Sequence, residues 1–172
     1  MVRYHPISRY LHWITAIMVY SVFGLALYFD GMPKGPEKFA LVDYHKWFGL
    51  TVLVLVIIRL LWRLRQKVPA TSATMHAWEK KIAQAIHHLL YIMMLLIPLA
   101  GWAMSSAKGY SVSFFGWVTL PALVDKDIDL AKLFKEIHEV GGWGLIIVAA
   151  LHALSALKHH FINKDDILRR ML

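Results

Sequence analysis

Apolar residues in this chain gather into four long runs separated by charged segments. Tyr10 to Phe29 carries no charge, and Trp47 to Trp62 is broken only by Arg59. Ile82 to Ser106 is uncharged but holds His87 and His88, and Val140 to Leu157 forms the fourth run. A helix that crosses a bilayer needs roughly 17 to 25 apolar residues. Each run meets or approaches that length, the second once Tyr44 and Leu64 are included and Arg59 and Arg63 extend their charged heads to the interface. The pattern predicts an all-α, integral membrane, up-down-up-down four-helix bundle. It is expected to be one transmembrane unit over residues 1–172, with helices at about 8–30, 44–65, 80–106 and 134–160.

The segments between the runs carry turn and cap signals. Pro6 suits the opening of the first helix, with Ser8 a candidate cap. The first run exceeds an ordinary signal-peptide core and no small-residue cleavage site follows it, so it is expected to be a retained anchor. MPKGPEK reads as a turn-rich loop, and residues 66–74, with Pro69, as another. MHAWEKKIAQAI is an amphipathic run-in to the third helix, where Pro98 and Gly101 mark a kink or thin spot. GYSVSFFGWVTLPAL is aromatic but too interrupted by Gly and Pro to span, and is expected to lie on the outer surface as a cap over a cofactor. DKDIDLAKLFKEIHE leads amphipathically into the fourth helix, and the tail HHFINKDDILRRML is basic.

Composition agrees: 58% of the 172 residues are hydrophobic, above the level usual for soluble domains. No cysteine is present, which excludes disulfides, iron–sulfur clusters and c-type haem attachment. The net charge is +8, and its distribution matters more than its size. The two chain ends and the loop that would share their side hold twelve Lys and Arg against three acids, whereas the opposite loops hold seven against eight. The positive-inside rule then places both termini in the cytoplasm. Nucleic-acid binding is the other common reading of a basic chain. It is disfavoured because these charges flank hydrophobic helices and form no separate domain.

Histidines give the bundle its chemistry. His138 and His152 lie fourteen residues apart on the fourth helix, a rise of about 21 Å with the side chains returning to within roughly 40° of one direction. Projected on membrane depth, His45 falls level with His138 near the outer edge, and His12 level with His152 near the inner edge. An iron porphyrin with two axial imidazoles takes one histidine from each of two facing helices at equal depth, and such iron has no open position, which favours electron transfer. The pattern thus predicts two haem b groups with His12, His45, His138 and His152 as iron ligands. His87 competes with His12 for the inner position, or contacts a propionate or shapes a substrate pocket. Packing, transport and zinc sites remain rivals, but the helix-four spacing forbids one shared metal, and two-histidine sites would under-ligate zinc.

Gly24, Gly49, Gly141, Gly142 and Gly144 follow the histidines and admit either a flat macrocycle or a neighbouring helix. Arg59, Arg63 and Arg65 suit propionates or anionic lipid headgroups equally. Lys34, Lys38 and Lys46 surround the His45 end as a small landing area for an anion.

With these residues in place, the chain resembles the bacterial cytochrome b561 family across its whole length. The resemblance is carried by SRYLHW, YHKWFG with RLLWRLR, HHLLYIMMLLIPLAGW, and IHEVGGW with ALHALSALKHHF, in that order. It implies axial ligands at His12, His45, His138 and His152, a bacterial inner-membrane location, and electron transfer between an outer-surface redox partner and ubiquinone. One branch of the family acts as a superoxide oxidase, oxidising periplasmic superoxide and reducing quinone; there the KHHF segment borders the quinone pocket, which implicates His159. Protons would come from His159, His87 or water linked to Asp165. The rival reading is a haem-bearing anchor and relay subunit for a periplasmic dehydrogenase or hydrogenase, docked on the 108–132 loop.

Overall fold

The computed structural model describes residues 3–66 and 75–172; the expected turn at Pro69 lies outside the described residues. Its elements are helices α1 (Pro6–Asp30), α2 (Pro36–Leu64) and α3 (Ala77–Ala107), strands β1 (Val112–Phe114) and β2 (Val118–Leu120), helix α4 (Ile128–Phe161), and a 3-10 turn at Leu168–Arg170. All four α-helices are long and apolar enough to cross a membrane.

Local chemistry sets the helix starts. Pro6 opens α1, and the cap is His5, whose side chain accepts from the Ile7 N–H; Ser8, the expected cap, lies inside the helix and accepts instead from Trp62 Nε1. The α3 start is a capping box in which Glu79 accepts from the His76 N–H. Asp127 accepts from the N–H groups of Asp129 and Leu130 to start α4. Helices α2 and α4 begin earlier than their apolar runs, at Pro36 and Ile128. The extra turns are amphipathic, and a first-position proline and an aspartate cap make each start favourable.

The interrupted aromatic segment folds as an antiparallel hairpin, Phe114 opposite Val118 and Val112 opposite Leu120. Its turn uses Phe115 and Gly116 at φ 52 and 75, a conformation glycine enters freely and phenylalanine does not. Val112 is buried against Leu50 and Leu53 of α2, and Phe115 stacks near Trp47. The hairpin therefore belongs to the bundle end that carries His45.

Packing is unequal around the bundle. Helix α1 lies along α2, α4 lies along α3, and α2 joins the two halves through α3, while α1 and α4 touch only sparsely. Val19, Val52, Val56, Tyr91, Met94 and Leu145 form the central cluster. Large apolar side chains such as Ile17, Leu96, Ile147 and Leu151 face outward, as they do where the surrounding solvent is lipid. At the end opposite the hairpin the chain termini meet: the Tyr4 N–H donates to Arg170 O, and Trp13 Nε1 donates to Met171 O. The two ends are called here the hairpin end and the tail end.

Candidate functional site

At the hairpin end His45 of α2 and His138 of α4 face each other across the bundle. Their ring centroids are 5.9 Å apart and the rings are nearly perpendicular, at 81°. Each ring is oriented by a backbone carbonyl: His45 Nδ1 lies 3.1 Å from Val22 O, and His138 Nδ1 lies 2.9 Å from Ile97 O. A carbonyl accepts only, so each Nδ1 carries the proton and each Nε2 keeps its lone pair. That is the tautomer a metal ligand needs.

Local sequence explains why the Ile97 carbonyl is reachable. Gly101 lies one turn further along α3, and a Cβ there would come 2.8 Å from His138 Cε1. The missing side chain is the space the imidazole occupies. Gly141 and Gly144 serve helix packing, with Ile97 and Met93 of α3 against them. A Cβ on Gly24, Gly49 or Gly142 would meet nothing within 4 Å. Gly49 and Gly142 each follow a histidine of the hairpin-end pair by one turn.

At the tail end the rings of His12 and His152 are 6.3 Å apart at 81°. His87 lies nearer to His152, at 5.1 Å. Imidazoles on opposite sides of one metal, each bonded at about 2 Å, hold their centroids about 6 Å apart. Both cross-helix pairs have that spacing, whereas the His87–His152 distance is that of direct ring packing. The orientation of His12 differs from that of the hairpin-end pair: Arg59 donates to its Nδ1 at 2.9 Å. An accepting Nδ1 leaves the proton on Nε2, so a metal at His12 Nε2 and this contact from Arg59 exclude each other. Arg59 also lies over the Tyr91 ring, 5.2 Å from its centroid.

Beyond α4 the tail returns to the bundle. Lys164 takes φ 55, and Asp165 comes back to His159 with Oδ2 2.6 Å from Nδ1, both side chains buried. The Asn163 side-chain amide stands 3.1 Å from the same nitrogen. Further along, Arg170 bonds to Asp166 and holds its carboxyl below the usual carboxylate range.

The lysines of the hairpin end are variously engaged. Lys38 donates to the carbonyls of Asp30 and Met32, closing the end of α1, and Lys46 pairs with Asp43 at 3.1 Å. Lys34 is exposed. Among the described residues no three His, Asp or Glu side chains converge on one metal-sized point. The arrangement suits a ligand that bridges two histidines and occupies open space beside glycines. A haem fits these residues: opposed imidazoles at metal-ligand spacing, lone pairs free at the hairpin end, and room beside Gly49 and Gly142.

A polytopic α-helical membrane protein with facing imidazole pairs is the class these features define. The family model described as prokaryotic cytochrome b561 matches residues 3–172, and the chain belongs to that family. It is 35% identical over 177 residues to cytochrome b561 homolog 2 of Escherichia coli, covering 99% of this chain and 91% of the relative. Cytochrome b561 homolog 1 of the same organism is 36% identical over 174 residues, covering 100% and 98%. A probable superoxide oxidase CybB of Yersinia pestis is 27% identical over 170 residues, covering 99% and 96%. The family consists of bacterial multi-pass membrane proteins that bind haem b and transfer electrons.

Proposed function

We propose that this chain binds two haem b groups, one between His45 and His138 and one between His12 and His152, and passes electrons between an outer-surface redox partner and membrane quinone. The observation that carries this reading is the pair of cross-helix ring contacts at 5.9 and 6.3 Å. His87 then stands beside the tail-end site as a neighbour of His152. When bound, haem b supplies a one-electron carrier at each site.

The protein's own residues supply the rest. Val22 and Ile97 carbonyls hold the His45 and His138 tautomers, and Arg59 places a positive charge beside the tail-end site. His159, oriented by Asp165, is the proton donor for quinone: with Nδ1 facing the carboxylate, Nε2 is the atom that gives up and regains a proton. The exposed Lys34, with Lys38 still charged on the Asp30 and Met32 carbonyls, draws a small anion toward the hairpin end, whereas Lys46 is offset by Asp43. The charge asymmetry supports an inner-membrane location with both termini cytoplasmic, so the hairpin end faces the periplasm.

The specific reaction we favour is superoxide:ubiquinone oxidoreduction. Two superoxide ions each lose one electron to become oxygen, and one quinone takes two electrons and two protons to become quinol. Superoxide is small and anionic, so positive steering serves in place of a shaped pocket. A second reading, an electron-relay subunit for a periplasmic dehydrogenase or hydrogenase, is favoured by the 87% exposed Trp117 at the hairpin tip. An exposed tryptophan is a common anchor for a protein partner.

The test is a pyridine haemochrome measurement on detergent-purified protein, followed by addition of superoxide and a soluble quinone. Two haems per chain, falling to one in His45→Ala and in His12→Ala, support the assignment. One haem in the unaltered protein, or retention of both in either variant, overturns it. Quinol formed in step with superoxide loss supports the oxidase, whereas an inert protein that co-purifies with a dehydrogenase supports the relay.

A further inference from the structure

A groove between α2 and α3 at the tail end is used by none of these roles. It has a volume of 660 Å³ and is lined by Leu60, Arg63, Leu64, His88, Tyr91, Ile92 and Leu95. Its floor is Tyr91, which is buried, and its rim includes the exposed Arg63, Leu64, His88 and Ile92. That volume suits a ligand of moderate size.

The polarity of the groove runs in one direction. Arg63 and His88 stand toward the tail end, whereas Leu60 on α2 and Ile92 and Leu95 on α3 lie deeper along the same walls. From His88 to Leu95 the wall rises about 10 Å. An occupant therefore meets a cation and an imidazole at one end and only apolar side chains at the other. Its long axis lies along the helices, as lipid chains do.

The two neighbouring arginines divide their work. Arg59 turns inward and donates to His12. Arg63 is exposed, lies over the Tyr91 ring with Cζ 5.7 Å from the centroid, and makes no ion pair among the described residues. Held against an aromatic face, its guanidinium keeps its donors for an anion outside the protein, and phosphate suits that fork. A quinone ring is uncharged and would leave this cation without a counterion. We infer that the α2–α3 groove is a binding site for an anionic phospholipid, with the phosphate on Arg63 beside His88 and an acyl chain along Leu60, Ile92 and Leu95.

The test is native mass spectrometry of the haem-loaded protein, released from nanodiscs containing equal phosphatidylglycerol and phosphatidylethanolamine. The unaltered protein should retain phosphatidylglycerol in about tenfold preference. Arg63→Gln should reduce that preference to near one, while Lys81→Gln, an exposed cation at the same end, should leave it intact. Ile92→Trp fills the apolar part without altering charge and should lower retention of the lipid itself. Equal retention of both lipids by the unaltered protein overturns the site, as does an unchanged preference in Arg63→Gln. Displacement of the lipid by a short-chain quinone at stoichiometric amounts also overturns it, since the groove would then be a quinone site. Haem content is read on the same samples: if Arg63→Gln loses haem while keeping the lipid preference, the arginine serves the haem site and the lipid assignment fails. The two-haem assignment can fail independently, because the groove contains none of its ligands.

Discussion

Gly101 and His138 share one space: the α3 backbone passes so close to the imidazole that a single added carbon would lie 2.8 Å from Cε1. Gly101→Ala therefore moves the His138 ring away from Ile97 O. The expected result is loss of the hairpin-end haem, about half the haemochrome signal, with the helical circular dichroism unchanged. Full haem content in this variant would mean that the ring is not fixed by α3.

Gly49 provides the complementary case, because nothing stands within 4 Å of a Cβ there. Gly49→Leu should leave the apoprotein as stable as before and lower its capacity for haem at the hairpin end several-fold, measured by haemin titration. If the leucine variant loads normally, the open space beside Gly49 faces lipid and takes no part in binding.

Arg59 lies beside His12, and were a haem held there through Nε2, Arg59 would have to release Nδ1. It would then remain a half-buried positive charge beside the tail-end site. Positive charge favours the reduced state, so Arg59→Gln should lower the midpoint potential of that haem by on the order of 50 to 100 mV, from one charge about 10 Å away at an effective dielectric near 20. A spectroelectrochemical titration reads this directly. The hairpin-end potential should move far less, and equal movement of both would refute a local effect.

Asp165 holds His159 through a 2.6 Å contact inside the protein. Asp165→Asn should slow quinone reduction by about tenfold or more, less than the roughly hundredfold or greater loss expected when the acid–base group itself is removed. Reduction of haem by the outer donor should stay unchanged. The same substitution leaves a buried ring imperfectly paired, costing about 1 to 3 kcal/mol of stability. Quinone turnover unaffected by the change would remove His159 from the proton path.

Features that repeat along a helix were readable from the chain. The fourteen-residue interval between His138 and His152 fixes their relative direction whatever surrounds them, and depth counting sets His45 opposite one and His12 opposite the other. Contacts that depend on a chance approach of two distant residues were not. Nothing in the sequence tells that Arg59 reaches His12, since half a turn of rotation about the α2 axis would point it away from His12 instead. The hairpin escaped because each strand is only three residues long, too short for alternation to register. The folded tail depends on Lys164 adopting a conformation usual for glycine, so no glycine marks the turn. Nor could the glycines be sorted by eye: Gly101 seats a ring, Gly144 seats Met93, and Gly49 seats nothing, yet all read as small residues on apolar helices.

The uneven contact between helices has a consequence for assembly. Helices α1 and α2 form one hairpin, α3 and α4 another, and the seam between α1 and α4 is sparse. Both cross-helix histidine pairs draw one ring from the first hairpin and one from the second. A group held between those rings would act as a second tie between the two hairpins, beside the direct α2–α3 contact. Loss of a bridging group should thus part the halves like the covers of a book hinged along α2 and α3, with every helix still intact.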